Sequence, residues 1–164
     1  MSRLRKLQLD SGITLVEVVI ASAIILVAVV ALLGVHSLYL KSALSNSNTV
    51  KGAYLAEEGI EAVRYLRDDS WSAKIATLTN GTAYGLALTG SGWVASTTAT
   101  QIGEIARTFT LSSVSRDATS RDIVSSGGVV DPNTRLLTVR VSWESNGTTT
   151  TKSLSTYLTN IWQN

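Results

Sequence analysis

Residues 13–35 read ITLVEVVIASAIILVAVVALLGV, apolar or small at every position except Thr14, Glu17 and Ser22. From Val18 to Val35 nothing is charged, so a helix there reaches roughly 27 Å at 1.5 Å per residue, enough to cross the hydrocarbon core of a bilayer. Beyond His36 the pattern turns amphipathic. Leu40, Ala43 and Leu44, then Leu55, Ala56, Ile60, Ala62, Val63 and Leu66, recur at three-to-four-residue spacing, while Lys51, Glu57, Glu58, Glu61, Arg64 and Arg67 fall on the other side. This predicts that the helix continues over 36–69, half in lipid and half packed on its own domain. The polar stretch SNSNT at 45–49 is a poor helix former and marks a soft spot that a helix can still traverse.

After Trp71 serine, threonine and glycine take over and the period shortens to two. Residues 83–88 and 92–95 are expected to pair across Thr89-Gly90-Ser91, and 107–114 form a strand with Phe109 and Leu111 on one face. Leu137, Val139, Val141 and Trp143 alternate with Thr138, Arg140, Ser142 and Glu144. The Asn146-Gly147 turn then leads into a returning strand over 149–158. Residues 117–133, with Gly127-Gly128 and Asp131-Pro132-Asn133, read as a long surface loop or crossover. The expected fold class is α+β: one long N-terminal helix packed on a small antiparallel sheet, whose apolar face needs the amphipathic half of the helix to cover it.

Charge orients the apolar run. Residues 1–12 carry Arg3, Arg5 and Lys6 against Asp10, and so short a basic stretch stays cytoplasmic, which sends the rest of the chain outside. An ordinary secretory signal has an apolar core of about 7–15 residues followed by a small-x-small cleavage site. Ala21-Ser22-Ala23 fits that site locally but lies in the middle of the run, and a cut there would leave half a membrane helix on the product. Within the run the carboxylate of Glu17 is the residue to explain. An acid at the centre of a membrane helix costs on the order of 2.5–3.5 kcal/mol, and less near the interface.

Gly12 followed by ITLVEVVIASAIILVAVVAL, behind a basic leader, resembles the prepilin signature of type IV pilins and type II secretion pseudopilins. The resemblance covers about the first 25 residues, and its implications come from that family. A membrane prepilin peptidase cuts between Gly12 and Ile13, Ile13 is N-methylated, and Glu17 becomes the fifth residue of the mature chain and the one required for filament assembly. The implied partners are that peptidase, other pilin or pseudopilin subunits, a membrane assembly platform and membrane lipid. The implied domains are a removed leader (1–12), a transmembrane and filament-core helix (13–35), and a globular part comprising the amphipathic helix and the sheet (36–164), with a pilin-like fold. Ile13 stands where phenylalanine is usual. The run has no proline and the chain no cysteine, both found in many major pilins. Ala56-Glu57-Glu58-Gly59-Ile60-Glu61-Ala62-Val63-Arg64 looks like a helix segment of minor-pilin-like proteins, which favours a minor subunit.

Given that processing, Ile13 presents a cationic amine at a helix start, and the carboxylate one turn in lies near the positive end of the helix dipole. The amine of a neighbouring subunit satisfies Glu17 better than lipid does and sets the axial step between subunits. A plain signal anchor with a glutamate wetted at the headgroups is the simpler alternative.

Composition narrows the rest. The formal charge of +2 resides in the leader: without residues 1–12 the chain has 11 basic and 11 acidic side chains, which argues against nucleic acid as a strong electrostatic partner. His36 is the only histidine and sits at the membrane exit, so neither a histidine-based triad nor a zinc site has partners; no catalytic residue, metal or cofactor is expected. Asp68-Asp69, Asp117, Asp122 and Asp131 lack the alternation of a calcium loop and read as solvated turns. Asn80-Gly81-Thr82 and Asn146-Gly147-Thr148 match glycan acceptors but are first of all turns. Trp71, Trp93, Trp143 and Trp162 are expected in the core or at an interface. Two other readings share these features: a membrane-anchored surface module that binds through its Ser/Thr-rich sheet without polymerising, and a competence pseudopilin for DNA uptake.

Overall fold

Thr14 starts the first helix. Its side-chain oxygen accepts from the N–H of Glu17 at 3.3 Å and its carbonyl from the N–H of Val18 at 3.2 Å, so it is the N-cap of α1 (Leu15–Asp69). In the computed structural model, which describes residues 12, 14–145 and 147–162, this long apolar N-terminal helix precedes antiparallel β-sheets, an α+β fold. The helix is continuous through 45–49, so the polar soft spot does not break it. The chain divides between Leu44 and Ser45 into two compact units.

In the second unit the helix covers a sheet. Ser70, in an extended conformation, accepts from Ala73 N at 3.2 Å and caps the one-turn helix α2 (Trp71–Lys74), which places Trp71 and Ile75 in the core. β1 (Gly85–Thr89) and β2 (Gly92–Ser96) form the expected hairpin. The main sheet has the order β3-β4-β6-β7, from β3 (Thr100–Ile102), β4 (Ile105–Arg116), β6 (Val129–Ser145) and β7 (Thr148–Thr159), with the short β5 (Ile123–Val124) on the far end of β4. All pairings are antiparallel.

The period-two residues do what alternation requires. Phe109, Leu111, Leu137, Val139, Val141 and Trp143 are all buried, together with Ala56, Ile60, Ala62, Val63 and Leu66 of α1. Close helix–sheet approach depends on two glycines. A Cβ at Gly52 would lie 2.8 Å from the Trp143 ring, and one at Gly59 would lie 2.8 Å from Val139 Cγ1. Neither glycine figured in the amphipathic stripe, because a residue without a side chain leaves no hydrophobic mark.

Two expectations need correcting. Residues 117–133 are not one loop: 123–124 pair with β4, and 129–133 belong to β6. Pro132 is tolerated in that strand because the β4–β6 register shifts there. Ser113 faces Arg135 and Val114 faces Asp131, so the intervening residues have no β4 partner, and β7 pairing begins only at Thr134. Of the tryptophans expected in the core or at an interface, Trp71 and Trp143 are buried, Trp93 is half-buried and Trp162 is exposed (66%). Leu40 and Ala43, assigned to the amphipathic face, are exposed, and the side chain of Leu44 lies outside the described set.

Candidate assembly helix and its lone carboxylate

In the first unit every large apolar side chain from Leu15 to Leu40 is solvent-exposed, from 45% at Val29 to 81% at Leu15. Soluble domains do not leave so long a greasy surface bare. The helix is long and apolar enough to cross a membrane, and none of its most apolar window is covered by the chain itself.

Glu17 sits on the first turn of this surface and is exposed, and its carboxylate has no hydrogen bond or ion pair to another described residue. Its position is N3 relative to the Thr14 cap, so Thr14-Leu15-Val16-Glu17 has the spacing of a capping box. That local role was legible in the sequence as a threonine three residues ahead of a glutamate before an apolar run, yet the sequence reading missed it. Beside Glu17, Val18, Ala21, Ser22 and Ile25 line a shallow concavity of about 390 Å³. Ala21 and Ser22 are small, and Ser22 Oγ donates to Val19 O at 2.8 Å, so the hydroxyl is satisfied within its own helix. Together these residues offer a dent with a carboxylate at its rim. Gly12 is exposed, while Ile13, Arg3, Arg5, Lys6 and Asp10 lie outside the described residues, as does Asn146. His36 is exposed on the same helix.

The other titratable groups hold the globular unit together. Arg107 on β4, at the start of the strand expected over 107–114, is buried (1% exposed). It donates to Leu55 O at 3.2 Å, lies 3.4 Å from a Glu58 oxygen and stacks 5.5 Å from the Trp93 ring centre. One guanidinium therefore ties α1, β4 and the β1–β2 hairpin, although its Nε and the indole nitrogen of Trp143 are buried without hydrogen-bond partners among the described residues. Four of the five acids considered for calcium have carboxylates engaged in turns or ion pairs. Asp68 pairs with Arg67 at 2.8 Å and Asp69 with Lys74, Asp117 accepts from Thr119 N and Ser120 N, both at 2.8 Å, and Asp131 pairs with Arg116 at 2.7 Å.

Asp131 has a measurable consequence. The Arg116 guanidinium, with help from Thr134 and the N–H of Asn133, holds its carboxyl at about 2, below the ordinary 3.8. A carboxyl depressed on folding contributes stability above its unfolded value and loses that contribution as pH falls through the folded one. The stabilising effect is therefore expected to be complete above about pH 4 and to vanish between about pH 4 and 2. Asp131→Asn should flatten the stability profile of acid titrations followed by circular dichroism in that window.

Comparisons with models of protein families, with curated proteins and with solved structures gave no match.

Proposed function

We propose that this chain is a structural subunit of a type IV pilus or pseudopilus. It is inserted into the cytoplasmic membrane as a precursor, with its C-terminal domain outside, trimmed after Gly12 and N-methylated at Ile13. It is then drawn into a filament through its apolar helix. The observation that carries this reading is the lone carboxylate of Glu17, without a partner among the described residues, at the start of a membrane-length apolar stretch that the described residues leave uncovered. Lipid can cover the apolar surface but cannot neutralise the acid, whereas a bundle of such helices does both if the amine of one subunit meets Glu17 of the next. The basic leader and Gly12 supply the route to that amine. The arrangement of one long helix before an antiparallel sheet is the order the resemblance implies.

Mass spectrometry of the chain purified from membranes tests the processing step. The expected mature form begins at methylated Ile13. A form that retains the leader has no amine at that position, and it would leave the protein as a plain membrane anchor.

A further inference from the structure

β7 is the outermost strand of the main sheet, twelve residues long, and it pairs with β6 in unbroken register from Thr134↔Thr159 to Ser145↔Thr148. No described residue pairs with its other edge. The N–H of Asn160 donates to Asn133 O, so by antiparallel alternation the even-numbered residues of β7 bond to β6. The backbone groups of Thr149, Thr151, Ser153, Ser155, Tyr157 and Thr159 point away from the sheet. No backbone hydrogen bond from another described residue reaches them.

The opposite side of the sheet is defended. There the strands are short (β3 and β5), Gly81 and Tyr84 bond the outward backbone groups of Leu111 and Phe109 on β4, and Thr100 is held by Leu86 through bonds of 2.7 and 2.6 Å. Proteins blunt edges in these ways to prevent strand addition. β7 has no proline and no bulge, and its one charge is Lys152.

We propose that the outer edge of β7 is a self-association surface on which a second copy of this chain adds its own β7, antiparallel, about a two-fold axis through Leu154. The strand is complementary to itself in that register and less so in its neighbour. With the axis at Leu154, the bonded pairs are Ser153 with Ser155, Thr151 with Tyr157 and Thr149 with Thr159. On the helix-facing side Leu154, 41% exposed in one copy, meets Leu154 of the second, and Lys152 meets Thr156. The two Lys152 ammonium groups are then four positions apart, about 13 Å along the strand, beyond the screening length of about 8 Å at physiological salt. Moving the axis to Ser153 halves that spacing to about 7 Å, inside it.

Polarity follows from the symmetry. A two-fold axis normal to the sheet reverses every direction lying in it, so the 45–69 helical segments of the two copies run in opposite directions. In a filament of uniform polarity this contact therefore lies between filaments, or between apposed membranes, rather than between neighbours in one filament.

The chain has no cysteine, so introduced ones report register without interference. A non-bonded antiparallel pair has Cα atoms about 4.5 Å apart, within disulfide range. In full-length protein in detergent micelles under mild oxidation, Leu154→Cys is expected to form disulfide dimers at least about tenfold faster than Thr150→Cys or the exposed Leu88→Cys. A mixture of Lys152→Cys with Thr156→Cys should give the mixed dimer in preference to either homodimer. Ser153→Pro removes only an outward N–H, so adding it to Leu154→Cys should slow the reaction to the Leu88→Cys rate with an unchanged far-ultraviolet spectrum. Equal rates at residues 154, 150 and 88, as association through the apolar helix alone would give, overturn the proposal. So does failure of the 152/156 pair to cross-link, or a Ser153→Pro variant that is folded and dimerises undiminished.

Discussion

Glu17→Val is expected, under the proposed assembly, to insert into the membrane normally and to fall out of filaments, with incorporation reduced by about 100-fold or more. The size follows from what the substitution leaves behind. Valine suits the apolar run, so insertion becomes easier. In the proposed filament, however, the amine of the neighbouring subunit would lose its counter-charge inside a packed apolar bundle, and an uncompensated charge there costs several kcal/mol, about a factor of ten for each 1.4 kcal/mol.

The competing explanation is local. Glu17 is N3 to the Thr14 cap, and its loss also weakens a helix start. A cap is worth only about 0.5–2 kcal/mol, and fraying one turn of a 55-residue helix leaves the rest intact. Thr14→Ala separates the two effects. It should lower filament yield modestly at most, whereas Glu17→Val should abolish assembly, as counted by shear fractions and electron microscopy. Normal polymerisation of Glu17→Val would falsify the charge-pair account. An equal loss in Thr14→Ala would assign the glutamate to capping.

Phe109→Ala is expected to remove about 3–5 kcal/mol from the stability of the globular unit, the range for deleting a fully buried aromatic ring. Phe109 is fully buried and paired with Val139 across the β4–β6 ladder. It exchanges backbone hydrogen bonds of 2.8 and 2.7 Å with Tyr84, whose ring centre is 5.7 Å away. The cavity would open under the helix at the centre of the sheet, where neighbours are fixed by strand pairing and cannot close in. Because a domain of this size has a total stability of only about 5–15 kcal/mol, urea midpoints should drop sharply. Leu88→Ala, at a side chain 69% exposed, should stay within about 0.5 kcal/mol of the parent protein. A small shift for Phe109→Ala would mean that the sheet relaxes around the void.

The hairpins, the inward faces of β4 and β6 and the continuous helix were legible in the sequence because each rests on a local period: two for Phe109-Leu111 and Leu137-Val139-Val141-Trp143, and three to four for Ala56-Ile60-Val63. Where the reading failed, the deciding partner was distant along the chain. Pro132 ended a strand by local rules and yet lies in one, because a register shift spares it any ladder bond to β4. Arg107 fits an alternating strand as easily outward as inward. It is buried only because Leu55 O, Glu58 and Trp93 converge on it from residues 52, 49 and 14 positions away in sequence.

By itself the sequence determined the apolar run, the placement of one carboxylate near its start and the strand alternation, since these depend on the order of side chains along a regular backbone. Tertiary structure alone decided that α1 packs on the sheet through Gly52 and Gly59, that one guanidinium ties three elements, and that no described residue pairs with the outer edge of β7 while the opposite side is closed. The physical reason is common to all three. Close approach, charge burial and strand neighbours depend on which distant atoms come within a few ångströms, and sequence spacing along a single element does not encode that.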